Sequence, residues 1–336
     1  MKTVAIITDV WASKPINGVV TTLWNIKKAL EGHGFKVMVI HPGLFRSLPL
    51  PTYPEIKLAI LAKRKLKRLL ESIQPDFVHI ASEGPLGFAA RNVCLRKKWK
   101  FTTFYHTRLP EYVQVRLGAF RNLTYSYLRY FHKRSACTMV STHSLKQELE
   151  QRGFSNLEII PLGVDTHLFK PDPSQKAPMG MKKPVFVYLG RVAPEKNIEA
   201  FLDCDLPGSK LVIGEGPILG ELRKKYRGKA TFAGFKPGKE LVDLLTGCDV
   251  FVFPSKTDTL SLAIMEALAC GLPVAAYNVQ GPNNIIENGK DGFLGEDLES
   301  NAKKCLSLNR DDCVKKAQSY SWGHTAKAFI KHLIPI

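Results

Sequence analysis

Residues 250–274 read VFVFPSKTDTLSLAIMEALACGLPV, and they predict how the rest of the chain folds. The short apolar run at the start, rich in valine and phenylalanine, indicates a buried strand of a parallel sheet. Pro254 ends that strand because it cannot donate to a ladder. We expect a helix to follow, capped by Thr257, Asp258 or Thr259 and ended by the Gly-Leu-Pro segment. The apolar positions of this helix recur at helical spacing: Leu260, Ala263, Ile264, Ala267 and Leu268.

The predicted strand–helix unit carries two acids near an anion site. A helix that starts at the carboxyl end of a parallel strand points its free N–H groups outward, where they attract an anion. Asp258 lies at the mouth of that site. Glu266 follows eight residues later, which is about two helical turns. We therefore expect both acids to project toward one crevice.

Asp258 and Glu266 are two acids separated by seven residues. This pattern resembles the E-x7-E signature of the retaining nucleotide-sugar glycosyltransferases of family 4. The resemblance implies an α/β chain of the GT-B fold, with two Rossmann-like β/α/β domains facing each other across a cleft. In the subgroup that this chain is most similar to, the first acid is Asp within Thr-Asp-Thr. By resemblance, Glu266 binds the ribose hydroxyls and Asp258 binds the 3- or 4-hydroxyl of the sugar. Asp258 is shorter than the usual Glu and Ser261 replaces the usual Gly, so the donor sugar stays open.

A chain of 336 residues is long enough for two domains. We expect an acceptor-side domain over 1–170, a Pro- and Lys-rich linker over 171–183 and a donor-binding domain over 184–320. By resemblance, a C-terminal helix over 321–336 crosses back to brace the first domain.

Cysteine usage and hydropathy bear on the compartment. The seven cysteines form no C-x-x-C pair, which favours reduced thiols in the cytosol over a disulfide framework. The apolar run at the N-terminus is too short for a signal peptide, and Asp9 interrupts it. No run approaches about 18 apolar residues, so we expect no membrane span.

Positive charge is concentrated in the first half of the chain. The formal net charge is +18, and residues 1–168 hold 25 Lys and Arg against 11 Asp and Glu. The remaining residues hold 23 against 19. Such a one-sided field favours an anionic partner, which can be a membrane surface, a nucleic acid or an acidic substrate. The alternative is that the lysines only aid solubility.

Two segments of the first half have the character of membrane-surface helices. Residues 57–70 predict a basic amphipathic helix suited to anionic headgroups, and its charged positions are Lys63, Arg64, Lys67 and Arg68. Residues 113–133 predict a second helical stretch, in which Arg116, Arg121 and neighbouring aromatics suit a membrane interface. Ordinary packing against the sheet is the alternative for both segments.

Three further residues of the first half follow predicted strands. Gly18 starts a predicted helix, where the missing Cβ lets a phosphate approach; in the family an equivalent Gly-Val faces the donor diphosphate or the acceptor. His106 follows a predicted strand over 101–105 and resembles the family's inter-domain His, which contacts the transferred sugar near its 6-hydroxyl. A structural role is the alternative for His106. Glu83 is a weaker prediction for acceptor contact.

The second half has phosphate-binding and nucleotide-binding patterns. Gly190-Arg191, with Lys196 five residues on, resembles the family's G-R-x-x-x-x-K-N segment. Arginine grips phosphate oxygens bidentately and lysine adds a point charge beside them. The Gly-Glu-Gly-Pro run lacks the G-x-G-x-x-G spacing of a dinucleotide site and instead matches the family's donor-pocket turn. The residues that the resemblance assigns to that pocket and to the nucleotide base are Glu215, Gly216, Phe235 and Lys236.

The predicted chemistry is cleavage of a sugar–diphosphate bond. Fixed positive groups aimed at the leaving group lower such a barrier most. Arg191 and Lys196 supply them, together with the N–H groups of Thr259, Leu260, Ser261 and Leu262. We find no His/Cys cluster for a metal, so we expect neither metal nor cofactor. By resemblance, the configuration is retained through front-face attack, with the leaving phosphate accepting the proton of the acceptor.

The function that we predict is transfer of a hexose, such as glucose or mannose, from a UDP- or GDP-linked donor to a membrane lipid. The enzyme is then a peripheral protein on the cytoplasmic membrane face. Transfer to a soluble acceptor or a polysaccharide is the main alternative. A basic nucleic-acid-binding protein is a distant one, since no reader motif is present. A phosphorylase or epimerase of the same fold is also less favoured.

Overall fold

The structure is a computed structural model that describes residues 1–12, 17–50 and 53–336, with the side chains of 50, 53–56 and 179 left out. The strands are β1 (Thr3–Ile7), β2 (Lys36–Ile40), β3 (Ser47–Leu50), β4 (Tyr53–Ala59), β5 (Phe77–Ile80), β6 (Thr102–Phe104), β7 (Cys137–Val140), β8 (Leu157–Ile159), β9 (Val185–Leu189), β10 (Ser209–Ile213), β11 (Thr231–Gly234), β12 (Val250–Phe253), β13 (Val274–Ala276) and β14 (Gly292–Leu294). The helices are α1 (Gly18–Gly32), α2 (Lys63–Ile73), α3 (Pro85–Lys97), α4 (Leu109–Leu117), α5 (Arg121–His132), α6 (His143–Gln151), α7 (Ile198–Leu202), α8 (Leu219–Lys225), α9 (Gly238–Thr246), α10 (Leu262–Ala269), α11 (Leu298–Cys305), α12 (Arg310–Gln318) and α13 (Trp322–Lys331).

The chain divides into two compact units, Met1–Pro161 with Trp322–Ile336, and Leu162–Ser321. The first boundary thus lies at Pro161 rather than at residue 170, and the expected linker over 171–183 falls inside the second unit. The C-terminal segment belongs to the first unit, where α13 packs on α1 and Pro335 bridges to Phe77. The C-terminal segment therefore completes the first unit.

The first unit is built on a parallel sheet with the strand order β2-β1-β5-β6-β7-β8. Because crossovers between parallel strands are right-handed, α2 to α6 cover one face and α1 covers the other. Under the first of these faces lies a buried apolar cluster that includes Ile7, Ile80, Leu66, Leu70 and Leu86. This burial sets the face that α2 turns inward and leaves its basic flank outside.

The second unit repeats the arrangement with the order β11-β10-β9-β12-β13-β14, again all parallel. Its core joins strand residues such as Phe186 and Val250 to Phe201 of α7 and Leu222 of α8. Strands buried on both faces need continuous apolar runs, which is why the VFVF run of β12 could be identified by pattern alone.

The predicted helix over 57–70 is wrong in its first part. Lys57 to Ala59 belong to β4, which pairs antiparallel with β3 through Leu48↔Leu58 and Ser47↔Ala59. Leu61 has a φ of +50° and is 95% exposed. Helix α2 begins only at Lys63. A strand partner ten residues earlier overrides the local helical spacing, as pairing context commonly does.

The predicted stretch over 113–133 is two helices rather than one. Helix α4 ends at Leu117, and Gly118 follows with a φ of +68°. Phe120, with a φ of +70°, precedes α5. Two left-handed residues within three positions are incompatible with a continuous α-helix. The chain therefore makes a sharp hairpin here.

No helix in the described ranges has both the length and the apolar character of a membrane span.

Candidate active site

The predicted donor residues gather at the carboxyl edge of the second sheet. Gly190 follows β9, Glu215 follows β10, Phe235 follows β11 and Pro254 follows β12. Because these strands are parallel, the loops after them meet at one edge. That edge is where open α/β sheets bind ligands.

An ion pair lies at the centre of this edge. Lys196 Nζ is 2.5 Å from Asp258 Oδ1, and each side chain is only 15% exposed. The second oxygen, Asp258 Oδ2, is buried and has no hydrogen-bond partner among the described residues. A buried carboxylate oxygen without a donor is costly, so this atom is suited to accept a hydrogen bond from a ligand hydroxyl.

Two side chains that sequence patterns did not single out as site residues brace the pair. Asn197 Nδ2 donates to the Pro254 carbonyl at 3.1 Å, and Thr257 Oγ1 donates to the Glu195 carbonyl at 3.1 Å. These bonds tie the loop after β9 to the loop after β12. The G-R-x-x-x-x-K-N spelling contained the signal for Asn197, whereas Thr257 was considered only as a helix cap.

The glycines of this edge are required by close packing of backbone. A Cβ on Gly214 would lie 1.9 Å from the Gly190 carbonyl oxygen, and one on Gly216 would lie 2.1 Å from the Val192 carbonyl oxygen. The Val192 amide in turn donates to the Glu215 carbonyl at 2.8 Å. Gly216 and the backbone of Glu215, both predicted to bind the donor, therefore also join the loops after β9 and β10.

The predicted start of the helix after β12 is wrong. Helix α10 begins at Leu262, with Ser261 as its N-cap. The helix starts late because the chain from Pro254 to Thr257 is bonded to the loop after β9, so Asp258, Thr259 and Leu260 lie before it. Of the four predicted N–H donors only Leu262 is helical. The first-turn amides of a helix have no intrahelical partners and attract anions, so the N-terminus of α10 is suited to bind one.

Glu266 lies within α10 and has an altered affinity for protons. Although part of the residue reaches the surface, burial of its carboxyl raises the pKa from 4.5 to about 7. It has no ion-pair partner in the described part of the chain. A carboxyl in this state needs a ligand with hydroxyl donors to stabilise its charge.

Phe235 and Lys236 occupy the turn after β11. The Phe235 ring is 39% exposed, and Lys236 pairs with Glu240 at 3.3 Å. An exposed ring at a ligand edge offers a flat apolar face to a planar group.

In the first unit, His106 follows β6 as predicted by its pattern. Its ring stacks on Phe104, with the ring centres 4.0 Å apart and the planes 3° from parallel. Burial, together with nearby His132, lowers the pKa of His106 to about 3. The imidazole is therefore neutral near pH 7 and can donate or accept one hydrogen bond.

Glu83 is held by two residues of α5. His132 Nε2 lies 3.2 Å from Glu83 Oε1, and the Tyr127 hydroxyl donates to the Glu83 carbonyl at 2.5 Å. His132 Nδ1 is 2.8 Å from the Thr103 hydroxyl. Sequence reasoning missed His132, because it lies in a helix far from Glu83 in the chain and belongs to no motif.

The other residues of the first unit that were predicted to contact the donor, the acceptor or a membrane lie on different helices, and their exposure differs. Gly18 is the exposed first residue of α1, which Asn17 Oδ1 caps by accepting from the Val20 amide at 3.0 Å. Arg116 is partly buried near the end of α4, and Arg121 donates to Glu111 at 3.0 Å. The four basic residues of α2 are all exposed: Lys63, Arg64, Lys67 and Arg68.

No cluster of three or more His, Cys, Asp or Glu suited to a metal occurs in the described ranges. Metal-independent chemistry stays a prediction.

Comparison with known proteins identifies two domains. The protein-family model described as Glycosyltransferase Family 4 matches residues 16–168, and the family model described as Glycosyl transferases group 1 matches residues 183–311.

Three curated relatives resemble the chain over most of its length. The sulfoquinovosyl transferase SQD2 of Arabidopsis thaliana is 30% identical over 82% of this chain, which spans 60% of that protein. A GDP-mannose-dependent alpha-mannosyltransferase of Mycobacterium tuberculosis is 25% identical over 83% of the chain and 80% of its own length. The alpha-monoglucosyldiacylglycerol synthase of Acholeplasma laidlawii is 25% identical over 95% of the chain and 91% of its own length.

Solved structures share the fold at lower identity. Sucrose-phosphate synthase from Thermosynechococcus elongatus has a TM-score of 0.79 at 17% identity, over 98% of both chains. Anabaena HepE, in complex with UDP and glucose, has a TM-score of 0.73 at 15% identity, also over 98% of both chains. These likenesses confirm the predicted GT-B fold with two Rossmann-like domains. The two domain matches confirm the predicted family: the chain belongs to the family 4 glycosyltransferases.

Proposed function

We propose that this protein is a retaining hexosyltransferase that moves a hexose from a nucleoside-diphosphate sugar to a membrane-associated lipid. The observation that carries the proposal is the Lys196–Asp258 pair at the carboxyl edge of the second sheet. One partner is a cation suited to a diphosphate. The other is a carboxylate with one buried oxygen that accepts no hydrogen bond from the residues that the structure describes. A nucleotide sugar has both complementary groups next to each other.

The donor site that follows from this pair divides the work among three groups. Lys196, Arg191 and the first-turn amides of α10 stabilise the negative charge that grows on the departing diphosphate. Asp258 Oδ2 accepts a hydrogen bond from a hydroxyl of the transferred sugar, which fixes the orientation of the ring. Glu266 accepts hydrogen bonds from the ribose hydroxyls, and the exposed Phe235 ring stacks on the base.

The transfer step needs no further catalytic base in this scheme. The acceptor hydroxyl attacks from the face that the diphosphate leaves, and the leaving phosphate oxygen takes its proton. The bond from the anomeric carbon to the phosphate oxygen breaks while the bond to the acceptor oxygen forms. Because the acceptor attacks on the face that the phosphate leaves, the configuration is retained. Neutral His106 contributes a hydrogen bond to the sugar, and no metal takes part.

The lipid acceptor is supported by a relative and by charge. The name of one relative, alpha-monoglucosyldiacylglycerol synthase, is that of an enzyme that forms a glycolipid. The exposed basic flank of α2 suits anionic headgroups. We place the protein peripherally on the cytoplasmic membrane face, where both nucleotide sugars and lipid are accessible. The donor is UDP- or GDP-linked.

The test is a transfer screen with a panel of UDP- and GDP-hexoses against diacylglycerol-containing vesicles and soluble acceptors. We expect a glycolipid product that keeps the anomeric configuration of the donor, measured by NMR of the isolated product. An inverted product would exclude retention, and transfer to soluble acceptors alone would exclude the lipid. Lys196→Ala is the active-site variant, and Lys239→Ala is its control because Lys239 is 79% exposed on α9.

A further inference from the structure

The hairpin between α4 and α5 exposes large apolar side chains at its end. We call residues 115–123 the α4–α5 tip. The exposed fractions are 49% for Val115, 65% for Leu117, 60% for Phe120 and 67% for Leu123. Single exposed apolar residues are ordinary, but four within nine residues form a patch, and patches of this kind mark interaction sites.

The exposure of the tip follows from how α5 packs. Tyr125, Leu128 and Phe131 are 4%, 0% and 0% exposed, so the inward face of α5 is fully used by the core. Leu123 lies on the opposite face. Phe120 adopts a φ of +70°, a conformation that is rare for an aromatic residue and that holds its ring outside the helix. Folding therefore presents these side chains to the surroundings.

The exposed face of α5 changes its chemistry along the helix. Leu123, Tyr127 and Tyr130 lie at positions i, i+4 and i+7 of this face, and the two tyrosines are 37% and 56% exposed. At 1.5 Å per residue, Tyr127 lies about 6 Å and Tyr130 about 10 Å beyond Leu123. The order is thus aliphatic first and aromatic second.

A basic pocket lies beside the aromatic part of the helix. It has a volume of about 280 Å³ and is lined by Ser126, Arg129, Tyr130, Lys133, Gly153 and Ser155. Arg129 is fixed there by donating to the Arg152 carbonyl at 2.8 Å. Lys133 is exposed. The pocket therefore presents a positioned guanidinium, an ammonium group and hydroxyls, which is the chemistry that receives a phosphate.

This order matches the polarity profile of one bilayer leaflet. The interfacial layer between hydrocarbon and water is about 5–7 Å thick on each side. Aromatic residues favour that layer, and arginine and lysine meet the lipid phosphates at its outer part. A helix entering with Leu123 first, slightly inside the hydrocarbon, would place Tyr127 within the layer. Arg129, about 9 Å from Leu123, would lie near its outer boundary, and Lys133, about 15 Å from Leu123, would lie beyond it on the water side.

We infer that the α4–α5 tip inserts into the acyl layer of an anionic membrane, with Arg129 and Lys133 facing the lipid phosphates. The 25 basic against 11 acidic residues in the first 168 complement the negative charge of an anionic lipid surface. Helix α2, with its exposed basic flank, packs on the same face of the sheet as α5. The inference rests on the proposed membrane acceptor and adds the element that enters the hydrocarbon.

The test uses a label at the tip. All seven native cysteines are buried, so Leu117→Cys introduces one reactive thiol for an environment-sensitive fluorophore. We expect a blue shift with phosphatidylglycerol vesicles and quenching by lipids that have nitroxide groups on their acyl chains. The same label at Leu306→Cys, a leucine 42% exposed in the second unit, is the control and should not respond.

A second measurement uses the double variant Phe120→Ser, Leu123→Ser. We expect its partition coefficient onto phosphatidylglycerol vesicles to fall about 100-fold, since each lost apolar contact weakens partition about tenfold or more. Leu306→Ser should bind as the unchanged protein does. The inference would be overturned if the label at position 117 kept its emission in water while the protein was bound to vesicles. An unchanged partition coefficient of the double variant would overturn it as well. So would a dimer of the protein that the double variant abolishes. Because the label responds without sugar transfer, failure of the proposed reaction remains distinguishable.

Discussion

Lys196 Nζ lies 2.5 Å from Asp258 Oδ1, so the cation assigned to the diphosphate is already paired with the carboxylate assigned to the sugar. The two residues are 62 positions apart in sequence and come from the loops after neighbouring strands. With each side chain only 15% exposed, neither charge can be removed without leaving the other poorly solvated. Binding of a donor must therefore share Lys196 between the carboxylate and the phosphate.

Lys196→Ala should lower kcat by about 100- to 1000-fold, which is the effect of removing one preorganised donor from a developing negative charge. Steady-state kinetics with the best donor from the screen measures this. Lys239→Ala, on the exposed side of α9, should leave kcat unchanged. Equal rates for Lys196→Ala and the unchanged enzyme would remove Lys196 from the mechanism.

Asp258→Asn should separate binding of the nucleotide from use of the sugar. Neutralising Asp258 releases Lys196 from its ion pair, so we expect the affinity for a free nucleoside diphosphate to be kept or to increase. Transfer should nevertheless decrease, because the amide no longer offers the sugar hydroxyl the same charged acceptor. Calorimetric titration with UDP or GDP, compared with kcat for the same variant, checks both parts. A parallel loss of nucleotide affinity would contradict the assigned roles.

Glu266→Gln should change the pH dependence of stability. Because burial raises the pKa of Glu266 from 4.5 to about 7 in the folded state, the folded protein binds more protons than the unfolded chain between these values. The free energy of unfolding should therefore fall as pH rises from about 4.5 to 7, by at most about 3 kcal/mol from this residue. Urea unfolding across this range should show a smaller decrease for Glu266→Gln. The same slope in both proteins would argue against a raised pKa.

Gly216→Ala should destabilise the second unit, and Gly220→Ala should not. A Cβ at Gly216 would lie 2.1 Å from the Val192 carbonyl oxygen, whereas one at Gly220 has no atom within 4 Å. We expect a clear decrease in Tm for Gly216→Ala. Gly220 lies in α8, so Ala there should stabilise by about 0.5–1 kcal/mol. Thermal unfolding followed by circular dichroism distinguishes them, and similar Tm values would show that the loop relaxes around the methyl group.

Elements with a strong local pattern were predicted well. The run VFVF is a buried strand, and its burial on two faces explains the absence of polar alternation. Segments whose state depends on a distant partner were not. Residues 57–59 have helical spacing but pair with residues 47–49 as a hairpin, and the helix expected from about residue 258 starts at Leu262.

In the first unit, too, local patterns predicted positions along the chain but not contacts between distant residues. A strand end before a histidine was enough to locate His106, yet nothing in the sequence linked Glu83 to His132, which lies 49 residues away. Arg121 was predicted to face a lipid or acceptor, and in the structure it donates to Glu111. Charge patterns identify which residues are ionised, but they do not say which partner is in reach.

The sequence by itself determined the family, the alternation of buried strands and helices, and the strand ends at which Arg191, Lys196 and Asp258 had to lie. Those features depend on residues that are neighbours in the chain, so a local pattern contains them. Only the tertiary structure decided that Lys196 bonds to Asp258, that one oxygen of Asp258 is left buried without a donor, and that the α4–α5 tip is exposed. Each of these depends on which distant surfaces meet when the sheet forms, and burial then sets how strongly the charges interact.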